Sequence, residues 1–225
     1  MTGTVILVGA DKGGVGKTMV ARTLLDYIKS KGNEVRTFDA QYPAGDLVRF
    51  AEDATVIDID NVQDQMKVFD GVVDNCITVI DLPAGLLSPT INALDEAKLL
   101  EDVRSGGMKM VLLHVLGPTI ASLAEITSAA ERIGGVKHIL VKNHINQSKF
   151  FDWDHGASGE VMARMANIMV NVPQLAEIAC EMMQKRGGSF TSFIAETSQS
   201  RILRGRVRTW LESVWKEFDR VNVLS

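Results

Sequence analysis

The feature that most constrains the fold of this chain is a glycine-rich segment near its start, which lies between an apolar run and an amphipathic one. It reads Lys12-Gly13-Gly14-Val15-Gly16-Lys17-Thr18. The apolar run at 5–8 precedes it, and apolar residues at a spacing of four follow it. A strand, a glycine turn and a helix start in this order form a loop whose backbone N–H groups bind phosphate. We therefore predict a nucleotide site in which Lys17 reaches the outer phosphates and Thr18 holds Mg²⁺.

Composition and charge narrow the class of protein. The 225 residues are 46% hydrophobic and 23% charged, as in an ordinary globular protein, and the net charge of −4 argues against a wholly basic nucleic-acid binder. Cys76 and Cys180 lie far apart in apolar segments, so we expect reduced thiols and no metal cluster. We expect no secretory signal, because no basic stretch precedes the first predicted strand, and no membrane-spanning helix, because no apolar run approaches the roughly 20 residues that span a bilayer. We expect a cytoplasmic protein, associated with the nucleoid if it binds DNA.

Apolar, β-branched runs alternate with amphipathic ones along the whole chain. This pattern predicts an α/β fold with a doubly wound, mostly parallel sheet and helices on both faces, in one domain over 1–225. The predicted strands are 4–9, 34–38, 76–81, 109–115, 137–142 and 168–172. The predicted helices are 17–31, 89–103, 119–133, 157–166, 174–186 and 200–221.

Two carboxylates end predicted strands, where ligands of such sheets bind. Asp81 ends the apolar run Thr78-Val79-Ile80 and is followed by Leu82-Pro83-Ala84-Gly85. A carboxylate there can hold Mg²⁺ through water, and Gly85 gives the backbone freedom to follow the outer phosphate. Asp39 directly follows the second predicted strand, and it could cap the turn that comes after it.

The loop resembles the deviant Walker A motif of the ParA/MinD family of P-loop ATPases. The motif matches at K-G-G-V-G-K-T, while Asp11 stands where the general phosphate-loop pattern has glycine. The resemblance implies that Lys12 crosses a dimer interface to the partner's nucleotide, where it would act like an arginine finger. It also implies nucleotide contacts from the whole loop and its flanks: Asp11, Gly13, Gly14, Val15, Gly16, Lys17, Thr18 and Met19.

The segment after the second strand is similar to the family pattern D-x-D-P-Q-G. Asp39 matches the first aspartate, near Mg²⁺, but Gln41 stands at the second, near the attacking water. A glutamine can orient water but cannot accept its proton as a carboxylate can. We therefore expect slow ATP hydrolysis that involves Lys12, Lys17, Asp39 and Gln41, unless another residue such as Asp46 takes part.

The resemblance extends weakly beyond residue 139. Asn143, after the strand at 137–142, matches an asparagine that reads the base in family members, and it could otherwise be a turn residue. Pro173 lies in a stretch, Val172-Pro173-Gln174-Leu175, that resembles the family segment against the base. Lys142 does not form a guanine-reading motif, so ATP is expected rather than GTP. The four histidines, His114, His138, His144 and His155, lack metal-ligand spacing and are expected to be core or surface residues.

The predicted carboxyl-terminal helix is amphipathic, and three interpretations of it stay open. Its apolar stripe could pack on the domain with solvated arginines beside it. Arg201, Arg204 and Arg208, which cluster beside that stripe, could form a patch for non-specific DNA binding, as ParA-like proteins have near this end. Trp210 and Trp215 could instead mark a membrane-surface helix of the MinD kind, although nearby acidic residues oppose an anionic membrane.

The resemblance implies an ATP-dependent homodimeric switch. Such a switch would position DNA, a plasmid or a chromosome, or a protein cargo through an adaptor protein, with ATP and Mg²⁺ as cofactors. The first alternative is an ATP-dependent ligase resembling the dethiobiotin or cobyrinate synthetases. That alternative requires carboxylate-binding groups beside the outer phosphate, and the sequence shows no such cluster. The second alternative is a MinD-like regulator at a membrane.

Overall fold

The computed structural model describes residues 3–116, 121–145 and 168–225. The strands in these ranges form one sheet of seven parallel strands. The strands lie in the order β3-β2-β4-β1-β5-β6-β7, so β1 is central and the chain turns to opposite sides of it. This all-parallel, doubly wound arrangement confirms the predicted fold class. The bounds are β1 Thr4–Gly9, β2 Glu34–Asp39, β3 Thr55–Val56, β4 Cys76–Asp81, β5 Lys109–Leu116, β6 Lys137–Asn143 and β7 Met169–Val172.

Helices cover both faces of the sheet. They are α1 Lys17–Ser30, α2 Val62–Phe69, α3 Leu87–Glu96, α4 Leu99–Ser105, α5 Ala121–Arg132, α6 Glu177–Arg186, α7 Phe190–Ala195 and α8 Arg201–Arg220, with a 3₁₀ turn at Leu47–Arg49. Side chains alternate between two cores along each strand. In β1, Ile6 and Val8 belong to the core under α1 and α8, whereas Val5 and Leu7 belong to the core under α3.

The predicted secondary structure differs from the structure in two respects, and one predicted helix lies outside the described residues. The single helix predicted at 89–103 is wrong, because Lys98 adopts a left-handed conformation (φ 62°) that divides it into α3 and α4. The short elements β3, α2 and α7 were not predicted, since their apolar patterns are too brief to show a period. The helix predicted at 157–166 lies outside the described residues.

The amphipathic carboxyl-terminal helix is confirmed, and its apolar stripe packs on the domain. Val207, Trp210, Leu211, Val214 and Phe218 are buried in the core that also holds α1. The indole N–H of Trp210 donates to Pro173 O at 2.6 Å, and that of Trp215 donates to Thr23 O at 3.4 Å. Both tryptophans are thus anchored to the domain, which weakens the argument for a membrane-surface helix.

The arginines of α8 do not form one uniform patch. Arg201 and Arg208 are exposed, but Arg204 is half-buried and donates to Ile194 O at 3.3 Å. Arg204 therefore links α8 to α7. None of the described helices is both long and apolar enough to cross a bilayer.

Candidate phosphate-binding site

The glycine-rich loop lies at the carboxyl end of the central strand, between β1 and α1. Gly14 (φ 72°) and Gly16 (φ 83°) both lie in the left-handed region, which L side chains rarely adopt. Gly16 is the N-cap of α1, and no side chain in the described part of the chain caps that end. The first N–H groups of α1 are therefore available to an anion.

Asn143, at the end of β6, lies behind this loop. Its side-chain amide donates to Val15 O at 3.0 Å and to Gly16 O at 3.4 Å. A Cβ on Gly16 would lie 2.2 Å from that amide nitrogen, so the close packing also requires glycine. Asn143 therefore supports the loop in this structure, and its predicted contact with adenine stays a prediction.

Lys17 turns back across the loop that precedes it. Its Nζ donates to Lys12 O at 2.9 Å, and its side chain is buried. Burial lowers the pKa of Lys17, while Asp81 and other nearby carboxylates oppose that shift. A cation that is fixed in place and poorly solvated is suited to receive phosphate oxygens.

Asp81 and Asp39 are directly opposite each other at the ends of neighbouring strands. The Thr18 side chain hydrogen-bonds to the Asp81 carboxylate. Burial raises the pKa of Asp81 to about 7, and the nearby Asp39 charge adds to that effect, whereas Thr18 and Lys17 act against it. The Oδ1 atom of Asp81 is buried and has no hydrogen-bond partner in the described part of the structure.

Asp39 also folds the segment that follows it. Its Oδ1 accepts from Gln41 N at 3.0 Å, and its Oδ2 accepts from Leu47 N at 2.6 Å. A Cβ on Gly45 would lie 2.2 Å from Oδ2, so this turn needs a glycine. The turn-capping role considered for Asp39 is therefore present, and it holds Gln41 and Asp46 at the same cavity.

The residues predicted to hold Mg²⁺ fit such an ion. The described residues contain no cluster of three or more His, Cys, Asp or Glu side chains that could bind a metal alone. Mg²⁺ at nucleotide sites does not require one, because it binds one or two carboxylates, a hydroxyl, waters and phosphate oxygens. Thr18, Asp39 and the unpartnered oxygen of Asp81 offer this set of ligands.

Asp11 serves a different purpose from the glycine that the general pattern has at this position. Its carboxylate accepts from the Ser88 N–H at 3.1 Å and from the Ser88 hydroxyl, and its carbonyl accepts from Gly85 N at 2.9 Å. Asp11 thus ties the loop to the segment after β4. The Lys12 carbonyl is held by Lys17, and Met19 packs against the core from α1.

Pro173 follows β7, and its carbonyl is occupied by the Trp210 indole. Its predicted position against the base is not tested by the described residues, since 146–167 lie outside them. The exposed Ile145 lines the cavity of the phosphate loop and marks where that segment begins.

Two groups at the site were not predicted from the sequence. Glu125 of α5 accepts from Asp11 N at 2.6 Å and lies 2.9 Å from the Nε2 of His114, whose Nδ1 lies 3.1 Å from His138 Nε2. Arg22 and Arg49 both line the cavity of about 660 Å³ that contains Lys17 and Thr18. Each group joins residues from distant parts of the chain, and no local motif connects them.

Comparison with solved structures identifies first the class of fold. A nucleotide-binding protein of Archaeoglobus fulgidus in complex with ADP is similar over 96% of this chain and 92% of its own, with 16% identity and a TM-score of 0.51. No protein-family model and no curated protein matches the sequence. The structural similarity shows that the chain has an α/β fold like that of P-loop NTPases.

Within that class the similarity is to structures of the MinD and ParA type. The MinD cell division protein of Aquifex aeolicus, in its MinC:MinD complex, has 14% identity and a TM-score of 0.52, over 94% of this chain and 96% of its own. A Borrelia burgdorferi B31 protein described as a plasmid partition protein, bound to AMPPNP, has 11% identity and a TM-score of 0.50, over 96% and 99%. The fold agrees with the resemblance that the loop motif indicated.

Proposed function

We propose that this chain is a ParA/MinD-type ATPase that binds Mg·ATP and uses it as a switch. One observation supports this most strongly: Thr18, Lys17 and the unpartnered oxygen of Asp81 converge at the carboxyl end of the central strands. A hydroxyl, a buried cation and a carboxylate in this arrangement suit a magnesium triphosphate. Asn143 and Pro173 are the proposed contacts of the adenine base.

The chain's own residues would act mainly by positioning and by charge. The loop N–H groups and Lys17 would hold the outer phosphates as negative charge develops in the transition state. Thr18, Asp39 and Asp81 would hold Mg²⁺, which neutralises phosphate charge when bound. Gln41 would orient the attacking water without accepting its proton, so we expect slow hydrolysis.

Lys12 would complete the site of a second copy of the chain. In the proposed homodimer, ATP favours association because Lys12 meets the partner's nucleotide, and hydrolysis removes that preference. Light scattering after size exclusion tests this with Mg·AMPPNP, with ADP and without nucleotide. We expect a dimer only with Mg·AMPPNP, its loss in Lys12→Ala, and its retention in the control Lys67→Ala, which alters an exposed lysine of α2. A Lys12→Ala dimer would contradict this role.

We propose non-specific DNA as the surface that the ATP state recognises, through Arg201 and Arg208, with an adaptor protein as a further partner. Both arginines are exposed on α8, whereas Arg204 is partly engaged with Ile194. Retention on DNA with Mg·AMPPNP should weaken steeply as salt rises, because phosphate contacts release counterions. The Arg201→Ala/Arg208→Ala double variant should lose retention, and Arg206→Ala, which alters an exposed arginine elsewhere on α8, should keep it. Equal retention of both variants would show that Arg201 and Arg208 do not bind the DNA.

A second candidate function gains support from the cavity. A ligase resembling the dethiobiotin or cobyrinate synthetases needs carboxylate-binding groups beside the outer phosphate. The sequence showed no such cluster, but the structure brings Arg22 and Arg49 to the cavity of Lys17. ADP release that requires an added carboxylic acid, together with a product containing that acid, would favour the ligase over the switch.

A further inference from the structure

The cavity at the phosphate loop continues along α1 to a second group of cations. Arg22 lies one helical turn after Thr18, about 6 Å further along the helix axis. It lines the same cavity as Lys17, together with Arg49, Phe50 and Gln184. The loop and the Mg²⁺ ligands do not involve these residues, so the proposed nucleotide contacts do not explain them.

Arg22 is a buried cation, two of whose nitrogens lack hydrogen-bond partners among the described residues. The residue is 5% exposed, and the two nitrogens are Nε and Nη2. The Cζ atom lies 3.6 Å from the centre of the Phe50 ring and 4.6 Å from that of Phe190. Aromatic faces attract a cation but do not satisfy its N–H donors. Burial lowers the pKa of Arg22 to about 10, so its surroundings disfavour the charged form.

The neighbouring acid does not fill this need. Asp26 lies one turn further along α1, but its Oδ2 accepts from Phe190 N at 2.8 Å and its Oδ1 from the Thr191 hydroxyl at 2.7 Å. Asp26 is thereby hydrogen-bonded to the start of α7, and it acts on Arg22 through its charge, which opposes the lowering of the Arg22 pKa by burial. Neither Nε nor Nη2 of Arg22 donates a hydrogen bond to a carboxylate within the described ranges. Leaving a buried cation unpaired is costly, so a folded protein that keeps one has a use for it or loses stability by it.

Arg49 adds a second positive charge beside the same ring. Its guanidinium lies 5.4 Å from the centre of Phe50, and its Nη2 donates to Gln184 O at 3.0 Å. Its charge contributes to the lowered pKa of Arg22, after the larger effect of burial. Two like charges around one ring favour an anion between them.

We propose that Arg22 and Arg49 form a subsite for the carboxylate of a small organic acid, beside the phosphate loop. The Nε and Nη2 of Arg22 are the paired donors on one edge of the guanidinium, and they match the two oxygens of a carboxylate. Without Mg²⁺, one carboxylate group is favoured over a phosphate dianion at the subsite, because it brings a single charge there, whereas Asp39, Asp46 and Asp81 line the same cavity and repel the two charges of phosphate. In the present conformation both nitrogens are shielded from solvent, so the guanidinium must turn towards the cavity to bind.

The subsite goes beyond the proposed ATPase and is tested without nucleotide. Thermal unfolding is followed with succinate as the probe, with sodium chloride of matched ionic strength as the reference and inorganic phosphate as a second arm. Wild type and the control Arg206→Met, which alters an exposed arginine of α8 outside the proposed DNA-binding patch, should show a saturable rise of Tm with succinate. Arg22→Met, which keeps an unbranched stem between the rings, should show none, and Arg49→Gln should need at least about tenfold more succinate.

A second readout separates a binding role from a structural one. Without succinate, Arg22→Met should unfold at or above the wild-type Tm, because a buried unpaired charge is removed; a gain of about 2–4 °C is expected. Three results would overturn the subsite. These are no succinate response in wild type at about 10 mM, ten times a millimolar Kd, the same response in Arg22→Met, or a phosphate response that exceeds the succinate response and requires Arg22. Failure of ATP binding in a separate titration would leave these results intact.

Discussion

Glu125 accepts a hydrogen bond of 2.6 Å from the backbone N–H of Asp11, the residue that opens the phosphate-binding loop. The same carboxylate oxygen lies 2.9 Å from Nε2 of His114, a fully buried residue of β5. Burial alone would raise the pKa of Glu125, but the hydrogen bonds from His114 and Asp11 lower it, so the carboxylate stays charged. Glu125 thus connects helix α5 to the phosphate-binding loop through a hydrogen bond.

We predict that Glu125→Ala lowers the free energy of unfolding, because it removes a contact that fixes the phosphate-binding loop. It leaves the Asp11 N–H and the His114 ring without their acceptor, and one unpaired buried group costs about 1–3 kcal/mol. Glu125→Gln keeps one acceptor oxygen and should cost less. Urea unfolding measures the loss, with Glu131→Ala as the control at an exposed position of the same helix. Equal stabilities of Glu125→Ala and Glu131→Ala would mean that this contact does not matter.

The loop glycines should differ in their tolerance of a side chain. Gly16→Ala should lose more than about 1–2 kcal/mol, the cost of a left-handed residue, because its Cβ would also collide with the Asn143 amide. Gly13→Ala should be nearly neutral without nucleotide, since its Cβ would meet only Ala84 at 3.6 Å. Chemical denaturation of the two variants compares them directly. Similar losses for both would show that Asn143 does not constrain the loop.

His138 should make stability depend on pH. Burial lowers its pKa to about 3, with the neighbouring His114 adding to the effect, whereas an unfolded histidine titrates near 6.5. Well above pH 6.5, neither the folded nor the unfolded chain binds a proton at His138, and the contribution of His138 to stability is present in full. As the pH falls from there towards 3, only the unfolded chain gains a proton, so stability is lost.

Protonation of His138 in the unfolded chain should lower the free energy of unfolding by at most about 2 kcal/mol between about pH 7.5 and pH 5. His138→Gln retains an amide that can donate to His114 but does not titrate, so its unfolding free energy should fall less over this range. Urea titrations of both proteins across the range measure the difference. Parallel curves for wild type and His138→Gln would contradict the neutral state of this half-buried ring.

Asp81 should make the affinity for nucleotide depend on Mg²⁺. Asp81→Asn replaces a buried carboxylate whose Oδ1 has no hydrogen-bond partner among the residues that the structure describes, so stability without nucleotide should not fall. Removal of Mg²⁺ with EDTA should weaken ATP-analogue binding at least about tenfold in wild type, a change of about 1.4 kcal/mol. The Asp81→Asn variant should bind weakly with or without Mg²⁺. Retained metal dependence in the variant would remove Asp81 from the Mg²⁺ ligands.

Local motifs made the framework of this protein predictable. The apolar runs of β1, β4, β5 and β6 are continuous because those strands are buried on both faces, and their bounds agree with prediction to within a residue. The loop at 12–18 comes after β1, and the carboxylates of Asp39 and Asp81 lie at the ends of β2 and β4. The amphipathic stripe of α8 was equally visible, since its period of 3.6 extends over 20 residues.

The rest depends on contacts between distant segments. His114 was expected to be an ordinary core or surface histidine, and only the fold shows that it joins Glu125 to His138. In the sequence, Arg22 is one polar residue in a predicted helix. Its burial between Phe50 and Phe190 depends on the path of the chain after β2 and β7. The break at Lys98 has no proline or glycine to mark it, so sequence pattern alone joined α3 to α4.

The central claim is that the loop and Lys17 bind a nucleotide triphosphate, and calorimetric titration with Mg·AMPPNP tests it most directly. Wild type and the control Lys67→Ala should bind with the same affinity. Lys17→Ala, which removes the buried cation from the phosphates, should show no measurable binding. Undiminished binding by Lys17→Ala, or no binding by wild type, would contradict the assignment of this site.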